Sequence, residues 1–279
     1  MKIATIPPTS LLRKVPHDGY HLILAKQVST IPEYRDFYSE RLDAGDYVIL
    51  DNNASEEGKS IALDQLLQAA RYLLSGCQDE QTAAERLELV LPDVPEDGMG
   101  TLAQSLMAVQ PIRAMLPHCP LMFVPHGKTT AEVRQCASLA AQLIGKDLSC
   151  IGIGRRTFTP YFNQVREFPD TLTHTMAVVH CITDVTDVFK THPLHLLGLL
   201  LPLSLYDQAI GWLHRIRGLD SAKFVTFALA QRSLDELGVS LPRHPRYFST
   251  AFPWTAEIER CFLDNVSRGL NAFEKGAGR

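Results

Sequence analysis

No two cysteines of this chain stand in a CxC or CxxC spacing. The six of them, Cys77, Cys119, Cys136, Cys150, Cys181 and Cys261, are scattered among apolar residues. That excludes a local zinc knuckle and argues against a disulfide framework, so buried free thiols in a reducing cytoplasm are expected. Long hydrophobic runs are also missing. The most apolar stretch, Leu194 to Leu205, contains His195 and Pro202 and is too short to span a bilayer. The opening MKIATIPPTSLLRK has no apolar core for a signal peptide, and no membrane association is expected. Positive charge is not in excess. A formal net charge of −4 excludes histone-like binding of nucleic acid, although a local basic patch on an acidic protein is compatible with it. Neither GxGxxG nor GxxxxGK[ST] occurs, which removes those two routes to a nucleotide cofactor. No cofactor is expected. There is no internal repeat, low-complexity tract or linker, so one domain over residues 1–279 is the simplest organisation.

What is present is a recurring unit, a short apolar run followed by a helical pattern. The runs are Tyr20–Ala25, Tyr47–Asp51, Leu87–Asp93, Leu121–His126, Ser149–Gly154, Leu194–Leu200 and Gly218–Phe224. Most are continuously apolar, as strands buried on both faces of a parallel sheet are. Helical spacing covers Ser60–Ser75, Gly100–Met115, Thr130–Ile144, Ser204–Arg217, Phe224–Leu237 and Thr255–Phe273. Repeated strand–helix units and a length of 279 residues favour an α/β fold of the (β/α)8 TIM-barrel type, which typically has about 250 residues. An eighth strand is expected near the N-terminus or between Thr171 and Thr183. Arg155–Asp170 reads as an elaborated loop with a helix.

Barrel active sites lie at the C-terminal ends of the strands. The residues there are Asp51, Asp93, His126, Gly152–Gly154, Gly198 and Asp220. Carboxylates converging on one face repel one another unless they have chemistry or cations to serve. Each also has a plainer role open to it. Asp51 could cap a helix, unless Asn52, Asn53 or Ser55 caps instead and frees it. Asp93, in LVLPDVPEDG, could belong to a turn, and Asp97 in the same loop looks like a turn or cap residue. Asp220, in RGLDSAKF, could cap the next helix. His126, in PHGKTT, could meet a base edge or a phosphate, or pack in a polar loop. Arg155 and Arg156 suit phosphate contacts. His192 and His195 would need a third ligand to hold a metal, and none is expected.

The order of these motifs resembles the guanine transglycosylase family, which exchanges guanine for a 7-deazaguanine. The resemblance runs from about Tyr20 to Phe224. Asp51-Asn52-Asn53-Ala54 stands where the family has Asp–Ser–Gly–Gly. Asp93 matches the aspartate that reads the guanine edge, and His126-Gly127 takes the place of a Gln–Gly pair. Gly152-Ile153-Gly154 is similar to the glycine-rich strand that backs the base. His195-Leu196-Leu197-Gly198-Leu199 resembles a His–Leu–Met–Gly–Val strand. Asp220, in Leu219-Asp220-Ser221, matches the nucleophile. The zinc-binding CxCxxC cluster of the tRNA enzymes is missing from the sequence. The compact form is therefore similar to the DNA-acting branch of phages and bacteria, which puts DNA ahead of tRNA.

The resemblance implies a double displacement. Asp220 would attack the sugar C1′ and Asp51 would manage the proton. Asp93, with His126, Gly127, Gly152, Ile153, Gly154 and Gly198, would bind the base. Lys128, Arg155, Arg156, Arg243 and Arg246 would contact the nucleic-acid backbone. The incoming base would be a 7-deazaguanine such as preQ0, and the assembly leaves room for a homodimer. Rival readings are a non-catalytic base-binding homologue, a metal-dependent barrel hydrolase using Asp51, Asp93, His126 and His195, and a sugar-phosphate isomerase-type barrel.

Overall fold

The computed structural model describes residues 2–15, 19–165, 170–198, 215–221 and 255–277. Eight strands make one sheet: β1 Lys2–Thr5, β2 Tyr20–Leu24, β3 Tyr47–Asp51, β4 Leu87–Val90, β5 Leu121–Phe123, β6 Cys150–Gly154, β7 Leu194–Leu197 and β8 Ile216–Ser221. Every pairing is parallel, in the order β1-β8-β7-β6-β5-β4-β3-β2. The two ends of that order, β1 and β2, come side by side and bring the ring almost to closure. This is the α/β TIM-type barrel expected from the alternating pattern.

Helices fill the connections. They are α1 Ala25–Thr30, α2 Pro32–Asp43, α3 Ala54–Glu57, α4 Leu63–Leu74, α5 Glu80–Ala84, α6 Gly98–Met115, α7 Thr130–Leu143, α8 Arg155–Val165 and α9 Asp170–Val188. A further helix spans Ala256–Ala277. Helix α4 shows why these segments take their places. Leu66, Leu67, Ala69, Ala70, Leu73 and Leu74 are buried on one side, the apolar stripe that a barrel helix lays against its strands. Helix α6 begins where Asp97 accepts the Gly100 N–H at 2.9 Å, so of the two roles open to Asp97, turn or cap, it is a cap. Helix α7 begins at Thr129, whose hydroxyl accepts the Glu132 N–H.

The eighth strand is N-terminal β1, the first of the two places expected for it, and Thr171–Thr183 lies inside α9. Two expectations need correction. Arg155 opens α8 directly from the end of β6 and no loop intervenes. Ile216 and Arg217 belong to β8 and not to a helix ending at Arg217. Residues 204–214 of that expected helix, the helix over Phe224–Leu237, and Arg243 and Arg246 lie outside the described residues. No described helix is long and apolar enough to cross a membrane.

Strand parity decides what faces the lumen. Registers put Tyr20, Leu22 and Leu24 on one face with Tyr47, Ile49 and Asp51, and then with Glu88. The same face continues through Met122, Cys150, Gly152, Gly154, His195 and Leu197. It is the inner face, because Tyr20 of β2 meets His195 of β7, a strand that β2 does not adjoin. The register shifts at Leu194/His195, so that Leu194 faces Ile216 and His195 faces Gly218. Arg217 is the extra residue of this bulge, and such an insertion re-aims a side chain. Arg217 reaches Glu88 of β4 across the lumen.

Candidate active site

Asp220 sits near the C-terminal end of β8 and is buried. Each of its oxygens has a donor. Oδ1 lies 3.0 Å from His195 Nε2, and Oδ2 accepts the Gly198 N–H at 3.0 Å. Gly198 is exposed and has φ +64°, a left-handed backbone that glycine adopts without strain. That conformation turns its N–H toward the carboxylate. Asp220 therefore lies directly beneath an exposed residue at the barrel mouth.

Below it runs a chain of polar groups through the lumen. His195 Nδ1 lies 2.7 Å from the Tyr20 hydroxyl, and Arg217 Nε donates to that same hydroxyl at 3.1 Å. Arg217 pairs with Glu88 through both terminal nitrogens and also donates to Tyr47 Oη at 3.1 Å. Ser149 Oγ donates to Glu88 Oε1 at 2.5 Å. The Tyr20 and Tyr47 rings stack at 5.8 Å, and the Arg217 guanidinium lies over Tyr47 at 4.9 Å. Gly218 leaves the space that Tyr20 fills, since a Cβ there would lie 2.6 Å from Tyr20 Cε1.

Burial pushes the Tyr20 phenol well up, so it keeps its proton. Burial alone would push the Arg217 guanidinium down, but the Glu88 carboxylate outweighs it and holds the group charged. Losing one member of such a pair strands the other charge and costs about 3–5 kcal/mol.

A second cluster surrounds Asp93, three residues beyond β4. Oδ1 accepts Asn52 Nδ2 at 2.6 Å and faces Ser60 Oγ at 3.1 Å, while Oδ2 lies 2.5 Å from His126 Nε2. Ser60 Oγ also donates to the Asp93 carbonyl and accepts its N–H. Asn52 Nδ2 also reaches the Leu91 carbonyl at 2.7 Å. His126 Nδ1 is buried and has no hydrogen-bond partner. An unmatched buried polar atom costs about 1–3 kcal/mol, and a ligand that supplied a partner would recover it.

Asp51 is not freed by its neighbours. Its Oδ1 accepts the Asn53 N–H at 2.6 Å and supports Asn53 at φ 64°. Asn53 Oδ1 instead accepts the Lys26 N–H, and Asn52 Oδ1 accepts the Ala54 N–H. Asn52 is shared between this turn and Asp93, and Asn53 ties the turn to the start of α1, so Asp51 is the side chain that holds the Asn53 N–H.

The glycines fall into different classes. A Cβ at Gly127 would lie 2.6 Å from the Val133 N, where α7 packs close. One at Gly152 would meet Leu197 Cδ1 at 2.7 Å, so protein side chains already fill that part of the lumen. A Cβ at Gly154 would meet Leu197, Thr157 and Val124 at 3.9 Å, ordinary contact that does not itself require glycine. Ile153 shares the outward face with Leu196, toward the helices. Among the cations, Lys128, Arg155 and Arg156 are exposed in segments that follow β5 and β6. Arg156 pairs with Glu96 at 2.6 Å. The Lys128 N–H donates to Glu132 Oε2 at 2.8 Å, and neither the Lys128 ammonium nor the Arg155 guanidinium forms a salt bridge among the described residues.

His192 Nε2 lies 3.0 Å from the Gly145 carbonyl oxygen, away from His195. No group of three or more His, Cys, Asp or Glu among the described residues is arranged to hold a metal ion. Sequence reasoning missed Asn52, Ser60, Tyr20, Tyr47, Arg217 and Glu88 as site components. A signal did exist for Glu88, a charge inside the apolar run LELVLP, because an acid on a doubly buried strand must find a partner.

No family model matches the chain, and no curated protein matches it. Solved structures similar to it include a monomeric dihydrodipicolinate synthase variant, at 12% identity and a TM-score of 0.44, covering 97% of this chain and 79% of that one. The N-acetylneuraminate lyase of Proteus mirabilis is 11% identical with a TM-score of 0.42, covering 97% of this chain and 98% of the lyase.

Proposed function

We propose that this chain is a base-exchange transglycosylase that replaces guanine in DNA with a 7-deazaguanine through an aspartyl-glycosyl intermediate on Asp220. The observation that carries the reading is the state of Asp220. It is a buried carboxylate under the barrel mouth, held by two hydrogen-bond donors and by no lysine or arginine among the described residues. With each oxygen oriented by a donor and neither tied up in a salt bridge to lysine or arginine, the carboxylate is placed for attack on a sugar carbon.

The reaction follows as two displacements. One Asp220 oxygen bonds to C1′ as the glycosidic bond to guanine breaks, and the bonding pair stays on the guanine ring, which takes up a proton. The incoming base then loses a proton, bonds to C1′ and releases the carboxylate. Two inversions give retention, as in two-carboxylate retaining glycosidases. Asp51, on the same inward register at the end of β3, is assigned the proton transfer.

Asp93 and His126 are assigned the base edge. In the Nε2–H tautomer His126 donates to Asp93 Oδ2 and presents Nδ1 as an acceptor. A carboxylate has about four lone-pair sites, of which Asn52, Ser60 and His126 occupy up to three. The remaining site and His126 Nδ1 together offer two acceptors, matching the two donor groups on the guanine edge. Adenine lacks that pair and would leave buried acceptors unmatched, which discriminates strongly.

The target base must leave its stack to reach a barrel mouth. Lys128 and Arg155 are assigned the backbone phosphates, joined by Arg156, whose exposed pair with Glu96 is worth about 0–1 kcal/mol and opens readily. DNA is preferred to tRNA because the sequence lacks a CxCxxC cluster.

The test is incorporation of labelled guanine or 7-deazaguanine into guanine-containing DNA, with tRNA in parallel. Label entering DNA supports the reading. Label entering tRNA alone moves the substrate, and label entering neither defeats the exchange.

A further inference from the structure

The polar chain beneath Asp220 has a direction that follows from counting protons. Arg217 Nε can only donate, so the Tyr20 oxygen accepts from it at 3.1 Å. The phenol has one proton of its own, and His195 Nδ1 is the acceptor 2.7 Å away. Nδ1 is then unprotonated, and the imidazole proton sits on Nε2, facing Asp220 Oδ1 at 3.0 Å. The reverse tautomer would leave Asp220 Oδ1 without a donor and the Tyr20 proton without an acceptor. His195 is wholly buried, and Glu88 anchors the far end by fixing Arg217.

We infer that Tyr20 and His195 are positioning residues that lock the imidazole in its Nε2–H tautomer and thereby hold Asp220 as an oriented carboxylate. This rests on Asp220 being the nucleophile of the proposed exchange. The charged and titratable groups facing His195 are Asp220 from β8 and Tyr20 from β2, with Arg217 one hydrogen bond further on. No proton moves along the chain during the reaction. Its donors stabilise the carboxylate each time it is released, so they favour breakdown of the glycosyl ester over its accumulation.

The inference separates His195 and Tyr20 from residues that merely support the fold. His195→Phe removes one hydrogen bond to a charged group, and kcat falls about 10–100-fold; because the slowed step is breakdown of the adduct, KM for DNA falls with it and kcat/KM changes much less. More of the covalent adduct accumulates at steady state in this variant than in the parent. Tyr20→Phe acts in the same direction with a smaller effect.

The decisive experiment needs no substrate. Imidazole-nitrogen NMR of the intact protein, assigned by loss of one signal in His195→Phe, reads the tautomer directly. The expected result is a protonated Nε2 and a bare Nδ1 in the parent, with Tyr20→Phe releasing the ring to both tautomers. A proton on Nδ1 in the parent, as imidazolium or as the other tautomer, overturns the inference. So does a tautomer unchanged by Tyr20→Phe. Neither outcome depends on base exchange, so failure of label incorporation would count against the exchange reading while this measurement judges the relay separately.

Discussion

Two regions at one end of the barrel each hold a carboxylate, and they are completed to different degrees. The relay under Asp220 is closed: the hydrogen-bonding groups of Tyr20, His195, Arg217 and Glu88 are all matched. The cluster around Asp93 is open, because His126 Nδ1 is buried without a partner. A matched network gains nothing from a ligand and serves to fix geometry. An unmatched atom is where a ligand gains affinity. The contrast assigns positioning to the first region and recognition to the second, and substitutions can attack it from either side.

The largest effect belongs to Asp220→Asn. The amide is isosteric but cannot form the ester, so exchange should fall by on the order of 10³-fold or more, with an unchanged circular dichroism spectrum. Retained exchange would remove Asp220 from the mechanism. Next comes Glu88→Gln in the closed region. It leaves Arg217 in the lumen without its counter-charge, and denaturant titration should register a loss of about 3–5 kcal/mol. Adding Arg217→Met should recover part of it, since the stranded charge is then gone; a loss that simply adds would contradict the pairing. In the open region, His126→Ala should weaken guanine binding about 10–100-fold by calorimetry with a smaller stability change than Glu88→Gln. The opposite ranking would erase the distinction between the two regions.

Smaller effects lie outside both regions. Burial pushes the Asp46 carboxyl up, but hydrogen bonds from Arg41 and His21 outweigh it and leave it below the ordinary carboxylate value. A group depressed in the folded state stabilises above its unfolded value and loses that contribution as pH falls through the folded one. Asp46→Asn should therefore cost about 1 kcal/mol at neutral pH, and the gap from the parent should close in acid. Burial also pushes the Cys119 thiol up to about 12 and that of Cys136 up to about 11. Neither should react with a thiol reagent in the native protein at neutral pH; labelling before unfolding would contradict their burial.

These contrasts also explain what could be read from the sequence. Parallel strands are apolar on both faces, so seven runs stood out and their last residues pointed to Asp51, Asp93 and Asp220. The eighth strand, Lys2–Thr5, is short and opens on a lysine, which left its location undecided between two segments. The relay was invisible for a different reason. Arg217 and Glu88 are 129 residues apart and meet only when the ring closes. The bulge that turns Arg217 inward leaves no pattern in RGLDSAKF. Asp51 was ambiguous because a carboxylate after a strand can serve a turn or a mouth, and only the Asn53 contact reveals the turn. Asn52 was read as a possible cap and Ser60 as the start of a helical stretch, although both hold Asp93 in place.

The central claim is that Asp220 bonds to the sugar, and trapping that bond tests it most directly. The protein would be incubated with guanine-containing DNA without an incoming base, denatured, digested and examined by mass spectrometry. The account requires a nucleic-acid adduct on the peptide carrying Asp220, lost in Asp220→Asn and dispersed by adding 7-deazaguanine. An adduct on another residue, or exchange with no adduct on Asp220 under any quench, would contradict it.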